Sequence, residues 1–562
     1  MHVAHNVRDR AKFSGRYAHN VQGVSGVVSS AIASRSGPDL RAAYDVVVVG
    51  AGPVGLTLAL LLADRGVSVG ILEARTTPEQ QGSKALCMQR ETLEIWHSIG
   101  IGERVAQRGT AWSVGRTYFR DTELFSITLP GSSGEHFPPF VNISQSEVEQ
   151  ALVQRALAHE HVTIHYGQTV VGVGQDDESV TLAGVLSESS SYRADVDDPL
   201  RQGDRSQPHG VRRITGRYAV AADGARSQVR RLLGIDFPGH THADRFLIAD
   251  IRAELPFPAE RRFWFDPPFN PGRAVLIHPQ PDGIWRIDWQ VPGDFDLDAE
   301  RESGRLEQRI RQIIGYVDYA EVWLTVYRFH QRCAATWRQG RVLLAGDAAH
   351  LMSPFGARGL NSGVADAANL AWKLEHVLAG RTPESLLDSY CDERLAAAQE
   401  NLAVTEETMR FMAPPPDFRA ERDAILRAST TDPIARAAVN SGRLATPMVY
   451  AGGLFPAYRP GDPELVATVL ADARTEDGSR LRQCLTSAGG RWLALTVGAR
   501  SPAVPDGVVV LADDSPSVRS IYAPDGNARS YLIRPDGYVA ACTDPTREDV
   551  RAAWLAGTAA QP

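Results

Sequence analysis

Cysteine is sparse in this 562-residue chain: Cys87, Cys333, Cys391, Cys484 and Cys542 stand far apart, with no C-x-x-C pair. That spacing argues against a disulfide framework and a zinc site, so no metal is expected, and it fits a reducing cytoplasm. An excess of basic charge is also missing, with 59 Lys and Arg against 67 Asp and Glu and a formal net charge of −8. Without a basic field, nucleic acid is a poor partner. No apolar run reads well as a membrane span. The nearest, Val46–Ala63, carries Gly50, Gly52, Pro53 and Gly55 in its middle, and a buried strand followed by a buried helix explains it better. Met1–Ala43 lacks the apolar core of a secretory signal and holds only two acids, Asp9 and Asp39. A disordered extension, or a start codon placed upstream of the true one, is the plain reading of residues 1–43, and the composition does not tell against an organellar address.

What is present is an ordinary globular composition, 43% apolar and 22% charged, in a chain long enough for two or three domains. Asp45–Arg75 organises the rest. Four consecutive valines bounded by glycine read as a strand buried on both faces, Leu56–Ala63 as a helix, and Val67–Leu72 as a second strand. Between the first strand and the helix stands G-x-G-x-x-G as Gly50, Gly52 and Gly55, with Pro53 suited to a first helical turn. Such glycines let the backbone turn tightly and approach a pyrophosphate, which the helix N-terminus then meets with free N–H groups. Glu73 ends the second strand, where a carboxylate would accept from an adenosine ribose hydroxyl.

Further along, Ser83–Ile101 suggests an amphipathic helix through Leu93, Ile95, Trp96 and Ile99. Ser144 followed by Glu147 is a capping-box pattern opening a helix to about Ala158. The polar stretch from about Leu186 to Gly210 reads as an exposed insertion. A buried strand then ends at Asp223-Gly224. Residues 245–330 change to strand-like runs, with Asp282-Gly283 as a hairpin cue, and read as an antiparallel substrate sheet, mainly about 236–335, inserted in a parallel domain. The parallel pattern returns at Arg341–Leu378, where a third strand ends at Gly346-Asp347, and a helical stretch follows to about Met412. Pro414–Pro416 mark a break, residues 411–454 read as a linker, and about 455–562 as a separate α/β domain.

Taken together, Gly50–Gly55, Asp223-Gly224 and GDAAHLMSPFGARGLNSGVADAANLAWKL resemble the class A, single-component FAD-dependent aromatic hydroxylases. The resemblance covers about 44–410 and points to the phenol-hydroxylating group that includes pentachlorophenol monooxygenase, 3-(3-hydroxyphenyl)propionate hydroxylase and polyketide hydroxylases. It implies a Rossmann-like FAD-binding domain with an inserted antiparallel-sheet substrate domain. The C-terminal segment resembles the thioredoxin-like α/β domain of many members, here without dithiol chemistry. The cofactor implied is FAD, with NADPH or NADH as transient co-substrate. Oxygen from a flavin C4a-hydroperoxide would pass to the ring of a phenolic or polyketide-type substrate in a cytoplasmic enzyme, with a homodimer compatible.

Carried over by position, the resemblance implies that Asp347 holds the FAD ribityl chain and that Asp223 lies near the pyrophosphate. Gln145 resembles a flavin-contacting Gln. Lys84 stands where many members have Arg, and Arg90 is a second basic candidate. With Gly50, Gly52, Pro53, Val54, Gly55, Glu73, Ala74, Gly346, Pro354, Gly359, Leu360 and Asn361 these form the expected cofactor set. Pro354, Gly356 and Gly359 force an irregular loop able to lie against a flat ring, and the helix starting near Asn361 would present N–H donors to the anionic edge of a reduced flavin. His350 reads as a support for that loop. For the substrate the candidates are Arg245, Phe263, Trp285 and Tyr327, with His278 as proton acceptor from a phenol. Three rivals stand beside this reading: a flavin-dependent halogenase, whose G-W-x-W-x-I-P element is missing from Gly283–Trp289, a flavoprotein reductase or dehydrogenase, and a non-catalytic flavin redox sensor.

Overall fold

The structure, a computed structural model, describes residues 43–78, 85–129, 135–186, 212–442, 444, 446–450, 465–498, 504 and 507–543. The expected N-terminal extension up to residue 42, residues 187–210 of the expected insertion, and Lys84 lie outside them. No described helix is long and apolar enough to cross a membrane.

The first core is a parallel sheet. Strand β1 (Ala43–Val49) leads through helix α1 (Pro53–Ala63) into β2 (Val69–Glu73), followed by β3 (Val162–Tyr166), β4 (Arg212–Ala221) and β5 (Val342–Leu344). Their spatial order is β5-β4-β1-β2-β3, every pair parallel. Val46, Val47 and Val48 are fully buried because β1 has strand neighbours on both edges and sits inside the main apolar core. Since the strands run the same way, the chain leaves β1, β4 and β5 at one end of the sheet. Gly50, Asp223 and Gly346 are therefore neighbours although up to three hundred residues separate them. Helix α2 (Gly359–Leu378) crosses α1, and α3 (Leu386–Met412) packs on α2.

The second core is an eight-stranded, largely antiparallel sheet. The expected insert supplies Gly239–Ala253, Arg261–Phe265, Val275–Pro279, Ile284–Val291 and Tyr319–Cys333, and the earlier strands Val114–Phe119 and Thr122–Thr128 extend the edge beside Arg261–Phe265. The Asp282-Gly283 hairpin forms as read, with positive φ at both residues. Alternation gives the sheet two apolar faces. Leu247, Ala249, Ile251 and Ile287 pack on the helix Arg305–Ile314, whereas Phe246, Ile248, Phe263, Phe265 and Phe329 face Phe355 and the end of α3.

Two local readings change. Ser144 caps Gln145–Leu157 only by position, because its side chain makes no cap bond and its hydroxyl meets Ser146 Oγ at 2.8 Å. Glu147 pairs instead with Arg108 at 2.7 Å, so the capping box does not close. The 411–454 stretch, expected as a linker, contains the helix Pro416–Ala428. Pro416 begins that helix, where its fixed φ is an advantage, and Leu426 is buried against the second sheet. Beyond it, Trp492–Val497, Val508–Ala512, Arg529–Ile533 and Val539–Thr543 form a separate four-stranded mixed sheet with one parallel pair.

Candidate active site

The glycine turn is built as its spacing demands. Gly50 has φ of +103°, and a Cβ there would lie 2.4 Å from the Ala222 carbonyl oxygen. One on Gly55 would lie 2.1 Å from the Gly50 carbonyl oxygen. Only glycine allows both contacts. A Cβ on Gly52 would meet no protein atom within 4 Å, so that side is open to a ligand. Pro53 occupies the first turn of α1, which carries no acid there, so the positive helix end is uncancelled. Glu73 Oε2 accepts the Ala51 N–H at 2.7 Å and Oε1 meets Arg75 Nε at 2.9 Å. Burial alone would raise its pKa, but the Arg75 charge and these donors hold it below the usual carboxylate range. Ala74 follows it, half-buried at the strand end.

Asp223 stands beside Gly50. Its Oδ2 accepts from the backbone N–H of Gln228 (2.7 Å) and Val229 (3.2 Å), while its Oδ1 is buried without a partner among the described residues. Burial pushes this carboxyl up despite those donors. Gly346 turns at φ of +60°, where a Cβ would come within 3.0 Å of Val54 Cγ2, and one on Gly363 within 2.5 Å of the same atom. Val54 thus wedges between the two and locks the glycine turn to α2. Asp347, next in the turn, is exposed.

A buried network fixes this turn. Asp366 Oδ2 accepts from the Gly346 N–H at 3.0 Å and meets His350 Nε2 at 2.8 Å, and its Oδ1 accepts from Arg394 Nε at 2.7 Å. Burial opposes the charge on Asp366, yet Arg394 and His350 hold its pKa down. His350 stacks on Trp337, with centroids 5.4 Å apart.

The loop between Ser353 and α2 contains a tight turn, Ala357 N–H to Pro354 carbonyl oxygen at 3.1 Å, with positive φ at Gly356 and Ala357. Pro354 is exposed and Phe355 buried. Asn361 Nδ2 donates to the carbonyl oxygens of Cys87 (3.0 Å) and Ala357 (2.5 Å), and its Oδ1 accepts from Gln89 N–H (3.1 Å) and Thr92 Oγ1 (2.7 Å). Its side chain is thereby fully engaged. The first N–H groups of α2, at Gly359, Leu360 and Asn361, have no helical acceptor and are the donors available there.

Sequence comparison decides the cofactor. The pattern of the FAD binding domain family matches residues 43–405. The chain belongs to this family. It is 29% identical over 461 residues to 3-(3-hydroxy-phenyl)propionate/3-hydroxycinnamic acid hydroxylase of Mycobacterium avium (strain 104), covering 82% of this chain and 77% of that one. Anhydrotetracycline hydroxylase OxyS from Streptomyces rimosus superposes with a TM-score of 0.68 at 27% identity, covering 92% of this chain and 99% of that one. The flavin-dependent monooxygenase PieE, solved with FAD and substrate, superposes at 0.74 with 22% identity over 93% of this chain and 100% of that one, a likeness of fold.

FAD fits what the residues leave open. The bare Gly52 approach, the Asp223 Oδ1 without a partner, exposed Asp347 and the α2 donors all belong to the end of the parallel sheet where β1, β4 and β5 finish, the place of the ligand crevice in open α/β sheets. Gln145, the first residue of its helix, accepts from Ala85 N–H at 3.0 Å and donates to Glu149 at 2.8 Å. Arg90 opens the helix Arg90–Ser98, directly after Gln89, whose N–H donates to Asn361 Oδ1. The Arg90 Nε donates to the Phe137 carbonyl oxygen at 2.9 Å, Nη1 lies 3.7 Å from Glu135, and the residue lines a cavity against 447–449 and 468–472. Asp366 and Arg394 were missed by local reading, since only the buried helix-to-helix pairing exposes their part.

On the substrate side the alternation of the sheet sorts the candidates. Tyr327 and Phe263 belong to the face toward the loop. Burial, with Asp347 adding to it and Arg226 opposing, pushes the Tyr327 phenol up to about 12. Trp285 pairs with Ile251 and packs with it on the opposite face, 6.0 Å from Phe257. Arg245 shares that parity, and its Nη1 reaches the Phe295 carbonyl oxygen at 3.4 Å. Both side chains therefore point away from the flavin crevice. His278 has the right parity, but burial and then Arg261 and Arg286 lower its pKa well below the ordinary range. The neutral imidazole is favoured there, which weakens it as a base.

Proposed function

We propose that this protein is a flavoprotein monooxygenase that uses NADPH or NADH and O2 to hydroxylate a phenolic or polyketide-type aromatic ring. The observation that carries this reading is the closure of the aromatic sheet face on the cofactor loop. Phe355, next to Pro354, lies 5.1 Å from Phe246 and 6.1 Å from Phe329. The hydroxylase names of the relatives support the same reaction class.

Bound FAD supplies acceptance of hydride from the nicotinamide and activation of oxygen. The chain's own part is positional. Gly50–Gly55, Glu73 and Asp223 would hold the ADP half, and Asp347 with the Gly359–Asn361 donors would hold the other end. Helix-start donors of this kind would stabilise negative charge on a reduced flavin. Pro354 and Phe355 cover the reacting region, and the phenylalanines behind them exclude water that would divert activated oxygen to H2O2. We read the C-terminal sheet as a thioredoxin-like domain that acts as a brace, since its described cysteines, Cys484 and Cys542, form no disulfide.

The test is to purify the protein, record its visible spectrum, and follow NAD(P)H and oxygen consumption with a panel of phenols while weighing the products. A yellow protein whose products gain one oxygen supports the reading. A yellow protein indifferent to every aromatic would replace it with a reductase or sensor.

A further inference from the structure

The loop-facing side of the second sheet carries more charge than the packing of an aromatic ring requires. Arg286 is paired with Asp250, Nε to Oδ1 at 2.9 Å and Nη2 to Oδ2 at 3.2 Å. Arg261 Nη2 donates to the Ser441 carbonyl oxygen at 2.6 Å. His278, beside Arg286 in the register, has a buried Nδ1 without a partner among the described residues. Asp288 lies in the middle of this face, opposite Ile248 on one neighbouring strand and Leu276 on the other. Its side chain makes no hydrogen bond or ion pair among the described residues, yet part of its surface is open.

A carboxyl among apolar neighbours deep in a sheet is costly in a purely structural role. Burial pushes Asp288 up to about 7, with Arg286 and Arg261 opposing and Asp250 adding to the effect. A donated hydroxyl would relieve that cost. Cys87, whose thiol feels Arg261, Arg286 and Asp288, has its carbonyl oxygen held by Asn361 at the start of α2. One residue thus links the carboxyl's surroundings to the cofactor loop.

We propose that Asp288 accepts the hydrogen bond of the substrate hydroxyl, so that the site selects a phenol over its O-alkyl ether. The inference rests on the hydroxylase reading. As oxygen attacks the ring, the phenolic O–H bond breaks, its proton passes to an Asp288 oxygen, and the electron pair left behind enriches the ortho and para carbons. When the attacked carbon loses its own proton to solvent and aromaticity returns, Asp288 gives the first proton back. Arg261 and Arg286 favour the transient phenolate, and Asp250 and His278 complete the polar surroundings.

The test compares holoenzyme with Asp288→Asn and Asp288→Ala, using 3-(3-hydroxyphenyl)propionate, or whichever phenol turns over fastest, against its own methyl ether. Expected is a fall in kcat/KM for the phenol of about 10²-fold or more at unchanged FAD content. The preference for phenol over ether collapses, and the kcat/KM limb near pH 7 disappears in Asp288→Asn. A variant that keeps the rate, the limb and the preference overturns the proposal. Should the wild type bind phenols, seen as a perturbed flavin spectrum, without turning them over, the hydroxylase reading fails separately. Phenol affinity in wild type and Asp288→Asn then decides: a loss in the variant supports the hydrogen bond, and equal affinity, or no binding at all, refutes it.

Discussion

Replacing Glu393 by glutamine tests how the C-terminal sheet is joined to the cofactor helix. Glu393, on α3, accepts from Asn369 Nδ2 (2.7 Å) and Lys373 Nζ (2.9 Å) on α2, and from Arg534 Nη1 (2.9 Å) and Nη2 (3.0 Å) after a C-terminal strand. Lys373 and Arg534 are 0% exposed and Glu393 4%, so solvent screening is minor. Burial opposes the Glu393 charge, but Arg534 and Lys373 outweigh it and lower the pKa from 4.5 to about 2. Lys373 moves the other way, down to about 8, because its burial outweighs Glu393. Glu393 faces two cations at hydrogen-bond distance, so its carboxylate is the strongly stabilised partner. Its depression corresponds to about 3 kcal/mol. Removing the shared anion leaves buried Lys373 without its carboxylate, while Arg534 keeps Asp536, and should cost a similar ~3 kcal/mol. Because the folded pKa is the lower one, this stability is fully present above pH 4.5 and is lost as pH falls through about 2. Urea unfolding at pH 7, followed through Trp372 and Trp492, whose rings lie 5.7 Å apart at this joint, should show Glu393→Gln with a clearly lower midpoint. The difference should shrink on acidification. Equal midpoints at pH 7, or a gap that widens toward acid, would refute the reasoning.

Further outcomes follow from the crevice. Gly52→Ala should fold with unchanged apo-protein stability yet copurify with much less FAD, because its Cβ meets only the ligand's side, whereas Gly50→Ala should also lower the apo midpoint through its clash with Ala222. Asp366→Asn removes the charge that balances buried Arg394 and should cost ~3 kcal/mol or more together with FAD retention, checked by denaturation and flavin content. Trp285→Phe should leave substrate KM and kcat within about twofold, since the ring packs on the far face. Tyr327→Phe should change the coupling of NAD(P)H oxidation to product, measured as H2O2 released per turnover.

The glycine turn was legible because part of its constraint is local: a Cβ on Gly55 would meet the Gly50 carbonyl oxygen of the same turn and Gly50 itself needs a positive φ, although the atom that bars a Cβ from Gly50 is the distant Ala222 carbonyl oxygen. The three-stretch crevice was legible for a related reason, since parallel strands must end on one side. The sheet face was not, because alternation says which residues share a face but not which face meets the cofactor. That depends on where the helix Arg305–Ile314 docks, and the long strand Gly239–Ala253 also shifts register between Thr241 and Arg245. Trp285 and Arg245 therefore read as well as Tyr327 until the helix is in place. Acids show the limit most sharply. Asp223 and Asp347 follow strand ends, Asp288 lies mid-strand and Asp366 lies within α2, and nothing in their neighbours along the chain says which of them faces a ligand. Asp366 is claimed by Arg394, His350 and a backbone N–H, Asp223 has one oxygen so engaged, and Asp288 has none. The number of partners the fold leaves unmade, rather than residue type, marks which carboxylates face a ligand and which hold the scaffold.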